Sequence, residues 1–142
     1  MLVKDIMVTD VVTIYPEDSV EEAYKTMKTH NIRRLPVIDM EGTLLGLVSD
    51  RDVRQVLVPW RSTVKQQERE FYYLARDHDV EDIMTTEVVA ISPETTVAEA
   101  ARLLHDYKFG GLPVVDEDRK VVGILTAIDL LGLLMEQMAD DD

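Results

Sequence analysis

A chain of 142 residues with a formal net charge of −13 is long enough for one core of domain size, and its negative field argues against nucleic acid or an anionic membrane surface as a general partner. It has no cysteine, so neither a disulfide framework nor a thiolate metal site is available. No apolar run approaches the roughly 20 residues of a membrane span, and the N-terminus begins directly on the first motif, which reads as a soluble cytoplasmic protein.

The first motif is Val3-Lys4-Asp5-Ile6-Met7. Residues 11–14 form a short β-rich run stopped by Pro16. Ser19-Val20-Glu21-Glu22 then places a hydroxyl at a helix N-cap and Glu at N3, a capping-box signature. Val20, Ala23, Tyr24 and Met27 keep helical spacing through about His30. Strands are expected at residues 35–38 and 44–48, joined by a turn at Met40-Glu41-Gly42-Thr43. A second helix opens at Ser49 and is ended by Pro59, which lacks a backbone donor and clashes with the preceding turn.

From Val80 the chain repeats itself, 77 residues on. Val80-Glu81-Asp82-Ile83-Met84 restates the opening motif, and Leu112-Pro113-Val114-Val115-Asp116 restates Leu35-Pro36-Val37-Ile38-Asp39. Gly123 to Asp129 restates Gly46 to Asp52. Without a gap, about 20 of 55 positions are identical between residues 3–57 and 80–134, a periodicity that outranks any other fold signal. The second copy therefore repeats the elements: a β run at 88–91 stopped by Pro93, a helix from Thr96 to about Tyr107, strands at 112–115 and 121–125, and a helix opening at Thr126. The order β-α-β-β-α implies a small α/β sheet with both helices on one face. Two copies of about 55 residues, each marginal alone, are expected to bury their apolar faces against each other and leave a seam that can hold a small ligand.

The domain reading is repeat one at 1–57, a connecting segment at 58–79, repeat two at 80–138 and an acidic tail at 139–142, of which Asp140-Asp141-Asp142 reads as solvated and frayed. The connecting segment has no counterpart in the repeats. Residues 62–76 lack Gly and Pro and are rich in helix formers, and the segment gathers Trp60, Phe71, Tyr72 and Tyr73. It reads either as a helical linker packed on its own chain or as a contact surface for a second subunit or another protein.

The two second helices carry the chemistry. Ser49 and Thr126 stand at N-caps with Asp52 and Asp129 at N3. Free amides and the positive end of the helix dipole suit a phosphate or other polar group there. The carboxylate can accept from a sugar diol, as an acidic residue does in dinucleotide folds. The same four residues are equally an ordinary capping box, worth about 1 kcal/mol of stability. The copies differ in charge: Arg33, Arg34, Arg51 and Arg54 in the first become Gly110, Gly111, Ile128 and Leu131 in the second. Guanidiniums bind phosphate bidentately, so the first copy is expected to take a phosphorylated nucleotide and the second a less charged adenosine compound or nothing. Alternatively, the arginines are solvated or pair with the many surface acids.

The paired pattern D-I-M, an S/T-V-x-E-A helix, L-P-V-V/I-D and G-h-h-S/T-x-x-D (h apolar) resembles the CBS domain, and two in tandem resemble a Bateman module. The resemblance covers residues 3–57 and 80–134. It implies a disc-like, pseudo-two-fold pair of β-α-β-β-α repeats, α/β in class, whose clefts between the repeats bind AMP, ADP, ATP or S-adenosylmethionine. It also implies a regulatory module, often a homodimer, that signals occupancy to an effector protein; a ligand-free dimerisation scaffold of the same fold is the rival reading. By the same resemblance the base is read by backbone at Thr13, Ile14 and Tyr15, and at Ala90, Ile91 and Ser92. Ile32, Arg33, Arg34 and Pro36 would line one cleft beside Ser49, Arg51 and Asp52. Phe109, Gly110 and Pro113 would line the other beside Thr126 and Asp129.

Catalysis finds little support. There is no cysteine nucleophile, no G-x-x-x-x-G-K-[ST] run and no i, i+4 histidine pair, and His30, His78 and His105 are far apart. Asp77-His78-Asp79 reads as a solvated loop rather than a metal cluster. No cofactor is expected beyond a regulatory adenine nucleotide.

Overall fold

A computed structural model describes residues 1–56 and 78–141. The expected linker helix at 62–76, with Trp60, Phe71, Tyr72 and Tyr73, and the stop at Pro59 lie outside the described residues. Two compact units are present, and their limits differ from those of the sequence repeats. One is Val12–Val88; the other joins Met1–Val11 to Val89–Asp142.

In the unit 12–88 the elements among the described residues are α1 (Val20–His30), β1 (Arg34–Ile38), β2 (Leu44–Ser49), α2 (Asp50–Gln55) and a short α3 (Val80–Ile83). The Ser19 hydroxyl caps α1 by accepting from the Glu22 amide at 3.0 Å. The reciprocal bond, from the Ser19 amide to the Glu22 carboxylate, does not form, so half of the expected capping box is present. Asn31 ends the helix in the left-handed region at φ 53°, a conformation Asn tolerates because its short polar side chain bonds locally. β1 and β2 pair antiparallel with Arg34 opposite Ser49 and Leu35 opposite Val48. Their turn is closed by Asp39, whose Oδ1 accepts from the amides of Glu41 and Thr43, both at 2.9 Å.

The β run at 11–14 makes a single parallel pairing, Ile14 with Val37, rather than a strand. Beyond it the Tyr15 amide turns to the Asp18 carboxylate at 2.9 Å, which closes a local turn around Pro16 and ends the ladder. The core is Ile14, Val20, Ala23, Met27, Leu35, Val37, Val48, Val53 and Val80. Val80 comes from the opening motif of the second repeat. Its amide donates to Asp18 O at 2.8 Å, and Thr85 exchanges two 2.9 Å backbone bonds with Leu47.

The other unit has the same plan: a 3-10 turn at Val3–Asp5, α4 (Val97–Tyr107), β3 (Gly111–Val115), β4 (Val121–Thr126) and α5 (Ala127–Asp141). Gly111 lies opposite Thr126 and Leu112 opposite Leu125, the register of the first hairpin moved by 77. The run at 88–91 is again one pairing, Ile91 with Val114. Thr96 caps α4 through the Glu99 amide at 3.1 Å, while the Glu99 carboxylate is drawn to Arg102 instead of back to the cap. Val3 joins a core of Ile91, Ala100, Leu104, Leu112, Val114 and Leu125. The opening motif of the first repeat thus completes the second repeat's core.

This exchange explains the glycine that each repeat carries in its second strand. A side chain at Gly46 would place its Cβ 2.7 Å from Thr85 O and 2.9 Å from Met84 Sδ. At Gly123 it would lie 2.6 Å from Met7 Sδ and 3.1 Å from Val8 O. Each strand glycine is therefore the seat of a D-I-M methionine, the close approach that a missing Cβ permits. α5 runs through Asp141, where a frayed tail from Asp140 was expected. No glycine or proline after Gly132 interrupts it, and aspartate lowers helix propensity without blocking the helix. Among the described residues, no helix is long and apolar enough to cross a membrane.

Candidate ligand-binding sites

Both capping boxes form completely. Ser49 Oγ accepts from the Asp52 amide at 3.1 Å and Asp52 Oδ2 accepts from the Ser49 amide at 2.9 Å. At Thr126 and Asp129 the distances are 3.2 and 2.8 Å. The boxes leave a remainder. Both aspartates are half-buried, and Oδ1 of each has no partner among the described residues, so one carboxylate oxygen stays available to accept.

The amides are less available than the sequence suggests. The first amide of α2, Asp50, donates to Arg33 O at 2.8 Å, and that of α5, Ala127, donates to Gly110 O at 3.0 Å. The third in each helix closes the capping box, leaving only the amides of Arg51 and Ile128 unpartnered among the described residues. These bonds nevertheless bring the segments before L-P to the helix starts. Arg33 and Arg34 lie beside Ser49 and Asp52, and Gly110 and Gly111 beside Thr126 and Asp129.

The first runs narrow in the same way. Ile14 uses both backbone groups, its amide to Pro36 O at 3.1 Å and its carbonyl to the Ile38 amide at 3.0 Å. Tyr15 uses both in the turn with Asp18. Ile91 is bound to Pro113 O at 3.0 Å and the Val115 amide at 2.8 Å, and Ser92 to Thr95. Of the six expected base readers, only Thr13 and Ala90 keep both their backbone donor and acceptor unpartnered among the described residues. Pro36 and Pro113 are fully buried. Ile32 is half-buried against the core, and its equivalent Phe109 is exposed.

Charge separates the two sites. Arg33 and Arg51 are exposed and form no ion pair among the described residues. Arg54 pairs with Asp50 at 3.1 Å, so for this residue the surface-pair alternative holds. Arg34 is half-buried; burial lowers its guanidinium below the usual arginine range, Asp50 opposes that shift and Arg33 adds to it. In the other unit Ile128 and Leu131 are exposed apolar residues at the arginine positions. Tyr107, which the sequence reading used only as a helix end, stacks on Phe109 with centroids 5.5 Å apart and planes 13° off parallel. Its signal was its place two residues before a second aromatic at a helix end. No group of three metal-ligating side chains occurs among the described residues; Asp79 heads α3, its amide bound to Asp82 at 3.0 Å, and Asp77 lies outside them.

A double α/β unit with two equivalent S/T-x-x-D helix starts defines a class. The family model of the CBS domain matches residues 3–59 and again 80–136, and the chain belongs to that family, with two copies in tandem. A CBS domain-containing protein of Dictyostelium discoideum is 35% identical over 136 residues, 96% of this chain and 92% of that one. Inosine-5′-monophosphate dehydrogenase of Methanocaldococcus jannaschii is 32% identical over 127 residues, but the chain spans only 22% of that enzyme. Among solved structures, CBSX2 from Arabidopsis thaliana superposes with a TM-score of 0.83 at 31% identity, covering 97% of this chain and 96% of that one. CBSX2 has also been solved in complex with AMP. The CBS domain pair of protein MJ0100, in complex with 5′-methylthioadenosine and S-adenosyl-L-methionine, gives 0.81 at 31%, covering 96% and 98%.

Proposed function

We propose that this chain is a regulatory module, not a catalyst, that binds adenosine-containing ligands at the Ser49/Asp52 and Thr126/Asp129 sites and passes occupancy to an effector protein in the cytoplasm. The observation that carries the reading is the unused Oδ1 of Asp52 and Asp129. Each aspartate is fixed by its capping box with one acceptor left over, which suits a ribose hydroxyl. Thr13 and Ala90 offer the free backbone groups that would read a base edge. The adenosine ligands held by MJ0100 and CBSX2 support the same chemistry. Occupancy reaches a partner only if the ligand binds two conformations with different affinity.

Thermal denaturation with and without ligand tests this. AMP, ATP or S-adenosylmethionine at 100 times its Kd adds about 2.7 kcal/mol of stability. No shift with any of them at millimolar concentration favours the ligand-free scaffold.

The same reading makes the chain a homodimer. Leu131, Leu134, Met135 and Met138 are exposed on α5 at i, i+3, i+4 and i+7, one continuous helix face that a second copy would cover. Sedimentation should find a dimer that Met135→Glu dissociates; an unaltered monomer at micromolar concentration contradicts it.

A further inference from the structure

We infer that residues 1–8 are an exchangeable docking segment: their seat in the unit that contains Val89–Asp142 takes the same segment from a second copy of the chain. The inference rests on the homodimer proposed above and deepens it, naming what the two copies trade.

Five backbone hydrogen bonds hold the segment to the rest of its unit. The Val97 amide donates to Met1 O at 3.0 Å, that of Val3 to Thr95 O at 2.8 Å and that of Lys4 to Pro93 O at 2.9 Å. Val8 and Ile124 exchange two more, both at 3.0 Å. Val3 is fully buried, and the Met7 thioether takes the space that a side chain at Gly123 would need.

The same five bonds recur in the other unit, each residue displaced by 77. The Val20 amide donates to His78 O at 2.9 Å, that of Val80 to Asp18 O at 2.8 Å and that of Glu81 to Pro16 O at 3.0 Å. Leu47 and Thr85 exchange two at 2.9 Å. Yet the seated segments differ where they face water, Lys4 against Glu81 and Val8 against Thr85, all four exposed. A seat of this kind reads main chain, one buried valine and one methionine. It accepts either charge beside the valine, and a second copy offers it an identical segment.

What separates the two segments is the tether. Residues 78–85 lie in sequence within the unit they complete. Residues 1–8 are parted from the rest of theirs by the whole of Val12–Val88, to which they connect through Thr9, Asp10 and Val11. These three make no hydrogen bond among the described residues, and Thr9 and Asp10 are exposed. Opening the hinge therefore breaks no hydrogen bond of its own. The closed monomer and the exchanged dimer make the same seat contacts and differ by hinge conformation and association entropy. A dimer through α5 offsets that entropy. α5 belongs to the unit that carries the seat, so pairing through it raises the local concentration of the second copy's segment.

The chain has no cysteine, so disulfide trapping reports on this contact alone. Residues that exchange both backbone bonds have Cα atoms about 5.5 Å apart, within reach of a disulfide. Val8→Cys and Ile124→Cys variants of the whole chain, co-expressed in equal amounts and oxidised, should form a disulfide-linked dimer. Its yield should approach about half of all dimers, the share of mixed pairs. A Gly-Ser-Gly insertion between Asp10 and Val11 lets the segment close back on its own chain and should cut that yield about threefold or more. Equal yields with and without the insertion overturn the inference. So does linkage confined to single chains of the double variant, with none in the mixture while sedimentation finds a dimer; that result leaves the dimer itself standing. A monomer in sedimentation removes the dimer reading and the exchange with it.

Discussion

Asp39 shows how much a single side chain fixes locally. The Thr43 amide, chiefly, and that of Glu41 hold its carboxyl below the usual carboxylate range, so the folded chain gives up this proton more readily than the unfolded one. The resulting stabilisation is complete above about pH 4 and is lost as pH falls through the folded value. Asp39→Asn should therefore make the acid side of the stability curve shallower below about pH 4 in urea titrations at stepped pH. An unchanged slope contradicts the role given to the turn. The i to i+3 pairs at Ser49/Asp52 and Thr126/Asp129 were legible in sequence because both partners sit within one turn of helix. What their spacing did not show is the division of labour between oxygens, Oδ2 to the cap and Oδ1 unused, because that depends on side-chain rotamer. That Ile14, Tyr15, Ile91 and Ser92 already spend backbone groups inside the fold was hidden for a related reason: their partners, Pro36, Asp18, Pro113 and Thr95, are chosen by the fold.

At the scale of elements, the two hairpins share one register but not one tolerance for change. At Gly46 the nearest obstacle to a Cβ is a backbone carbonyl, Thr85 O at 2.7 Å. At Gly123 it is the flexible end of Met7, with Val8 O at 3.1 Å. Gly46→Ala should cost about 3 kcal/mol and Gly123→Ala about 1 kcal/mol in urea unfolding, since only a flexible thioether can move aside. Equal costs would mean that the D-I-M segments do not press on these strands as described. Helices α1 and α4 and strands β1 to β4 lie within a residue or so of where periodicity and Pro–Gly punctuation put them. The exceptions are the runs at 11–14 and 88–91. Their β-branched composition matches a strand, yet each is stopped after one pairing by a turn that forms immediately behind it, a competition that propensity does not register.

For the whole molecule, the repeat was plain from identities 77 residues apart, and so was the family. The exchange of opening motifs was not. Val3 and Val80 are fully buried, but each fills the core of the copy that does not contain it, and no local pattern encodes a contact of that sequence separation. The limits 1–57 and 80–138 accordingly describe the duplication, while Val12–Val88 and its counterpart describe the packing. The functional account needs both, because the two S/T-x-x-D sites come from the duplication and the surfaces around them come from the packing. The most direct test of that account is an amide NMR titration with AMP and 5′-methylthioadenosine. It predicts saturable shifts concentrated at Thr13, Arg33 and Ser49 to Asp52, and at Ala90, Gly110 and Thr126 to Asp129. A chain that shows no shift at these amides up to millimolar ligand, or shifts confined to other residues, contradicts it.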